Sequence, residues 1–256
     1  VDRWILLVAT LLAGIGGVWG MISVHRGIRS HWTLVWMLAV LLCQLGFLST
    51  RGQLREACPL QDIGEILVFL AWALTLFYIL IGPAYRISLL GVFTAPLVFA
   101  LQTVALVSGT LTAKPTRELP SNAMHAAHSA VSVLAYGALA LAAVAGIMFL
   151  VLDKQLKGHV LKSGLFRNLP PAHELLVSLE RLLWLGVGLL TLGLIAGFLM
   201  PRTTPTGHAH FIAALAVWVG YAGLLAVKSG RGLTGRKLAL SAVTMFMLSL
   251  LVFAFV

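Results

Sequence analysis

Apolar residues fall into eight long runs, at about 4–22, 32–49, 63–82, 87–107, 126–152, 182–200, 210–227 and 238–255, with polar residues gathered between them. Each run is roughly 20 residues, the length an α-helix needs to cross the hydrocarbon core of a bilayer. The pattern predicts an all-α, polytopic membrane helix bundle of about eight transmembrane helices. The intervening stretches are too short for a soluble domain, so residues 1–256 read as a single transmembrane domain.

Composition sharpens this. The chain is 60% hydrophobic and 10% charged, with mean hydropathy +0.99, more apolar surface than a soluble domain can hide. The net charge of +10 invites a nucleic-acid reading, but its distribution gives another. The stretches after runs 1, 3, 5 and 7 carry Arg26, Arg29, Arg86, Lys154, Lys157, Lys162, Arg167, Lys228, Arg231, Arg236 and Lys237. Those after runs 2, 4 and 6 carry only Arg51, Arg55, Lys114, Arg117 and Arg202. The positive-inside rule then puts the N-terminus and C-terminus outside and the basic loops in the cytoplasm. Topology accounts for the basicity, and no nucleic-acid partner is expected. Residues 4–22 lack a basic lead and a clear cleavage site, so they read as a retained helix.

Single residues refine the runs. Trp19 and Trp32 flank the first basic turn as interfacial anchors, with His25 and His31 as solvated neighbours. Gln44, deep in run 2, reads as an interhelical hydrogen-bonding residue. Glu65 opens run 3, where the helix dipole favours an acid. Pro96 predicts a kink in run 4. Pro170-Pro171 breaks the longest loop, and His173-Glu174 begins an amphipathic lead-in to run 6. Glu180 and Arg181 at the membrane edge call for mutual or neighbouring ion pairs. Gly193 and Gly197, four apart in run 6, form a small-xxx-small face for close helix packing. Cys43 and Cys58 form no CxxC and are expected unpaired. There is no internal repeat, phosphate-binding loop or serine–histidine–acid arrangement.

The chemistry-bearing stretch is 121–152. His125 and His128, three apart, share a helix face at its start, and Ser132 and Tyr136 continue that face toward the bilayer centre. Polar groups there are costly without partners. His208 and His210, in the stretch PRTTPTGHAH, fall on the same predicted side of the membrane. Four imidazoles on one side suit a metal ion or axial ligation of haem iron, and interfacial histidines that are merely hydrated fit equally well. Zinc would favour a carboxylate or thiolate nearby. Haem would favour aromatic walls, with Lys114, Arg117 and Arg202 as cations for its propionates.

Several stretches, in order, resemble the cytochrome c assembly family, the CcsA/HemX-like haem-handling membrane proteins: CPLQDIGEILVFLAW, HSAVSVLAYGAL, LDKQLK, LPPAHELLVSLERL, LGVGLLTLGLIAG, and VWVGYAGLL followed by GLTGRKLAL. The resemblance covers about 40–245, and the loop details are closest to the HemX-like branch. It implies that His128 matches an external histidine serving as a haem axial ligand, Glu65 the acid heading the third helix, and Trp72 its aromatic. It also shows departures. The family's tryptophan-rich segment ending in Trp-Asp is replaced by PRTTPTGHAHF, with Gly207 and His208 at the Trp-Asp positions. The histidine of the family's second helix is Gln44 here, and that after helix 7 falls near Ala226.

The expectation is therefore a multi-pass protein of the bacterial inner membrane that binds and positions haem b non-covalently at the outer face. Its site would comprise His128 as axial ligand to the iron, His208 or His210 opposite, and His125, Glu65, Trp72 and Arg117 around them. Apocytochrome c and other cytochrome c maturation membrane proteins would be partners, in binding rather than catalysis. The alternatives are a HemX-like regulator of tetrapyrrole synthesis acting through the basic 153–167 loop, and a metal carrier using the outside histidines.

Overall fold

The computed structural model describes residues 2–26, 32–60, 62–81, 88–109, 111, 123–157, 172–199 and 205–254; side chains at 24, 88, 89, 123, 205–210 and 251–254 are outside the description. Eight helices appear among the described residues: α1 (Asp2–His25), α2 (Trp32–Arg55), α3 (Ile63–Ile81), α4 (Ser88–Val107), α5 (Ala123–Lys157), α6 (Ala172–Phe198), α7 (Pro205–Arg231) and α8 (Gly235–Ala254). Seven of them are long and apolar enough to cross a membrane, and no strand occurs among the described residues. The chain is a polytopic helical membrane protein.

Several helices outrun their apolar runs, for local reasons. The residues that follow run 2 contain no proline before Pro59, so α2 continues to Arg55. The lead-in from Ala172 likewise has no proline before Phe198, and it merges with run 6 into one helix of 27 residues. At α7 the start moves back to Pro205, because proline suits the first helical position, where its missing N–H would have no partner in any case. His208 and His210 therefore lie on a helix rather than in the loop the sequence suggested. Pro96 is accommodated inside α4.

The chain divides into two compact units. In the first, α1 to α4 pack as a four-helix bundle. Contact between helices in lipid comes from close packing rather than from expulsion of water, which favours small residues at crossings. A Cβ added at Gly16 of α1 would stand 2.9 Å from Trp36 Cβ of α2, and one at Gly17 would stand 3.7 Å from Pro96 of α4. Glycine thus lets α1 lie between its two neighbours. An apolar cluster of Leu6, Phe47, Leu48, Val68, Ala105 and Leu111 draws on all four helices and the segment beyond α4.

The second unit contains α5 up to Lys154 and α6 to α8. Helix α5 is the most deeply buried span, with Ala138 to Ala145 forming a continuous buried run of small and branched residues. Gly146 sits where three helices meet: its Cβ would stand 3.1 Å from Leu179 of α6 and 3.2 Å from both the Ala239 carbonyl and Val243 of α8. Two ties hold α7 to α6. Trp218 donates its indole N–H to Thr191 Oγ1 of α6 at 2.8 Å, and Lys228 pairs with Glu180 at 3.6 Å. That pair supplies the partner expected for Glu180, although it is half-exposed and worth under about 1 kcal/mol.

Because a backbone carbonyl cannot give way as a flexible side chain does, Gly146→Val should lower stability by about 1–3 kcal/mol through overpacking. Thermal unfolding in detergent checks this, with Gly188→Ala, where a Cβ meets nothing within 4 Å, as the neutral control.

Candidate functional site

His125 and His128 stand in the first turns of α5, three residues apart, yet they are not equivalent. His125 is exposed, whereas His128 is half-buried against α6. The His128 ring lies over Gly197, where an added Cβ would stand 2.9 Å from Cε1 and 3.0 Å from Nδ1. Its Nδ1 is 2.7 Å from the Gly193 carbonyl oxygen. A carbonyl only accepts, so Nδ1 carries the proton and donates it. The neutral ring then has its lone pair on Nε2, the nitrogen able to bind a metal. Orientation of an imidazole by a backbone carbonyl at one nitrogen is the usual support for metal ligation through the other.

The same face of α5 continues one turn on. A Cβ on Gly193 would stand 2.9 Å from Ser132 Oγ, and one on Gly186 would stand 2.5 Å from Leu139. Residues 128, 132 and 139 of α5 thus nest on glycines 197, 193 and 186 of α6. The small-xxx-small pair legible in the sequence does serve close helix packing, and the helix face it receives is the one that carries His128.

The opening turns of α7 reach this end of the unit. The rings of Phe198, next to Gly197, and Phe211, next to His210, are 6.3 Å apart between centroids. Positions 208 and 210 are turned roughly 200° from each other around the α7 axis at 3.6 residues per turn. Their side chains lie outside the description, as do Lys114, Arg117 and Arg202 entirely.

Glu65 and Trp72 belong to the first unit, His125 and His128 to the second. Glu65 does more than complement a helix dipole. It is fully buried, with Oε1 2.9 Å from Arg55 Nε and 3.7 Å from Arg51 Nη1. Arg51, also fully buried, pairs with Asp2 at 2.9 Å, and Arg55 with Asp62 at 2.7 Å. The Asp62 N–H also approaches Glu65 Oε2 at 3.4 Å, the reach-back of an N-terminal capping box. Three carboxylates and two guanidiniums therefore lock the start of α1, the end of α2 and the start of α3. Sequence counting placed Arg51 and Arg55 in a loop; the structure corrects this, because the helix extends through both and turns them inward. Arg51 also lies over the Phe47 ring, 5.7 Å from its centroid.

Trp72 packs beside Phe69, with ring centroids 5.2 Å apart. Cys58, in the turn between α2 and α3, is a free thiol, as is Cys43. Partial burial raises the Cys58 pKa above the ordinary thiol value, and the Glu65 carboxylate adds to the rise. No group of three or more histidine, cysteine or acidic side chains that could hold a metal ion occurs among the described residues.

Two outcomes follow. Glu65→Ala removes the acid shared by two buried guanidiniums and should cost about 1–3 kcal/mol, since Arg51 and Arg55 keep Asp2 and Asp62 but each loses a buried charged partner; the unfolding midpoint in detergent measures it. Cys58 should react with maleimide more slowly than a free cysteine near neutral pH. The lag should close as pH climbs past the raised pKa, because the thiolate is the reacting form.

Comparison with known proteins places this fold. The family model described as cytochrome C assembly protein matches residues 60–256. Among curated relatives, cytochrome c biogenesis protein CcsA of Microcystis aeruginosa is 25% identical over 255 aligned positions, covering 80% of this chain and 78% of the relative. The protein of the same name from Gloeobacter violaceus is 26% identical, covering 94% of this chain and 86% of the relative. That from Chlamydomonas reinhardtii is 27% identical, with 74% of this chain covered and 55% of the relative. A helical membrane bundle whose matched region runs from the α2–α3 turn through α8 thus belongs to the cytochrome c assembly protein family.

Proposed function

We propose that this protein serves cytochrome c maturation by holding haem b non-covalently at one end of its second unit, with His128 Nε2 as an axial ligand. The observation that carries the proposal is the His128–Gly193 hydrogen bond, in which Nδ1–H donates to the carbonyl and the neutral ring keeps its lone pair on Nε2. Names shared by the relatives, cytochrome c biogenesis proteins, support the pathway.

The residues present fit such a group. Gly197 leaves room for the imidazole and the Gly193 carbonyl orients it, while the paired rings of Phe198, next to Gly197 in sequence, and Phe211 supply aromatic surface at this end of the unit. His208 or His210, in the first turns of α7, would give the iron a further ligand, and Arg202, just before α7 in the sequence, would hold a propionate. Glu65 and Trp72 act in the first unit, where Glu65 positions helices rather than touching haem. Bound haem supplies the iron and the redox chemistry; the chain's part is to bind, orient and exclude water. The site faces outward across the bacterial inner membrane, with the N-terminus outside. Apocytochrome c and further membrane maturation proteins are its partners.

A protein purified from haem-replete cells should show a Soret band. His128→Ala should weaken it several-fold, and added imidazole should restore part of it, while His125→Ala leaves it near the original level. Equal haem content in the wild type and the His128→Ala variant would reject the assignment.

A further inference from the structure

The first unit is layered along its axis. At one end stands the ionic lock of Asp2, Arg51, Arg55, Asp62 and Glu65. Next comes the apolar cluster of Leu6, Phe47, Leu48, Val68 and Ala105. One helical turn beyond Phe47 lies Gln44, and one turn beyond Ala105 lies Gln102, both fully buried. Helices α2 and α4 are separated by a single antiparallel helix, so they run the same way and these two glutamines occupy the same level. Trp72, one turn beyond Val68 on α3, packs against that cluster. Further in, the layer is closed by Met37, Val40, Leu74 and Val98, all buried and apolar.

Within this layer both Nε2 and Oε1 of Gln44, both of Gln102, and the Trp72 indole Nε1 are buried without a hydrogen-bond partner among the described residues. The two carboxamides are therefore not bonded to each other. Five polar atoms from three helices at one depth in a membrane bundle amount to a site, because no solvent reaches them and buried polar groups are expected to be satisfied.

We propose that this layer binds a small hydroxylic ligand that bridges Gln44, Gln102 and Trp72. The chemistry follows from the donor set. The amide nitrogens and indole N–H need an acceptor, and the two Oε1 atoms need a donor, so a carbonyl or an ammonium would satisfy only half the site. A hydroxyl satisfies both. No charged side chain lies at this level and apolar layers close it on both sides, so the ligand is neutral. Two sources supply such a group: trapped water, which binds at buried polar sites with about three hydrogen bonds, or the hydroxyl of a compound dissolved in the membrane.

Synchrotron hydroxyl-radical footprinting of the wild-type protein in lipid nanodiscs reads water directly, because radicals formed from bound water oxidise the adjacent side chain. Trp72, half-buried with its indole nitrogen enclosed, should be oxidised in the wild type, and its rate should fall several-fold in the double variant Gln44→Met, Gln102→Met, which keeps volume while removing the amides. Solvent extraction and mass spectrometry form the second arm. A neutral hydroxylic compound present at one equivalent in the wild type, and absent from the double variant, would identify the membrane-dissolved source. A wild-type protein with Trp72 unlabelled and nothing extracted would overturn the proposal, even if the double variant fails to fold.

Discussion

The hydrogen bond between His128 and the Gly193 carbonyl depends on what α6 does not carry. Any side chain at 193 or 197 would occupy the space of Ser132 or of the imidazole itself, and the helices would have to part. The backbone of α6 is thus used as a surface. It supplies an acceptor that cannot change protonation or rotamer, and a flat floor for an aromatic ring. A carbonyl also retains a second lone pair, so the bond need not come at the expense of the helix. Local packing and ligand chemistry are the same contact here.

In the first unit the dominant constraint is electrostatic. Desolvating Arg51 and Glu65 completely is expensive unless the geometry is good and the charges alternate. They do alternate, from Asp2 through Arg51, Glu65 and Arg55 to Asp62. The reward is specificity of register rather than raw stability. A bundle of apolar helices in lipid can slide or rotate at small cost, whereas this chain of charges fits only one axial setting of α1, α2 and α3.

Much of the architecture was legible from hydropathy alone, because a span of apolar residues in lipid has almost no alternative to a helix. The side-by-side glycines of α6 were legible too, and so was the pairing need of Glu180. Arg51 and Arg55 were misplaced, since a loop count treats every cation beyond an apolar run as solvated, and nothing in composition distinguishes one folded back onto Asp2 or Asp62. Glu65 was visible as a helix-opening acid, but its two guanidinium partners lie 14 and 10 residues upstream on another helix. His128 was singled out by spacing together with His125; only packing separates the half-buried ring from the exposed one. The start of α7 was drawn too late because the polar residues before 210 carry no hydropathy signal, whereas Pro205 suits a first helical turn.

The alternating charges also constrain the order in which the chain assembles. Arg55 and Glu65 are joined by a short turn and can meet as soon as α3 emerges, forming a hairpin with α2. Asp2 belongs to a helix made before α2, and its counter-ion arrives only with the last turns of α2, so α1 cannot settle at its final depth before then. Locking of α1, α2 and α3 is accordingly a late event, in which α1, although made before α2, cannot be the first to lock.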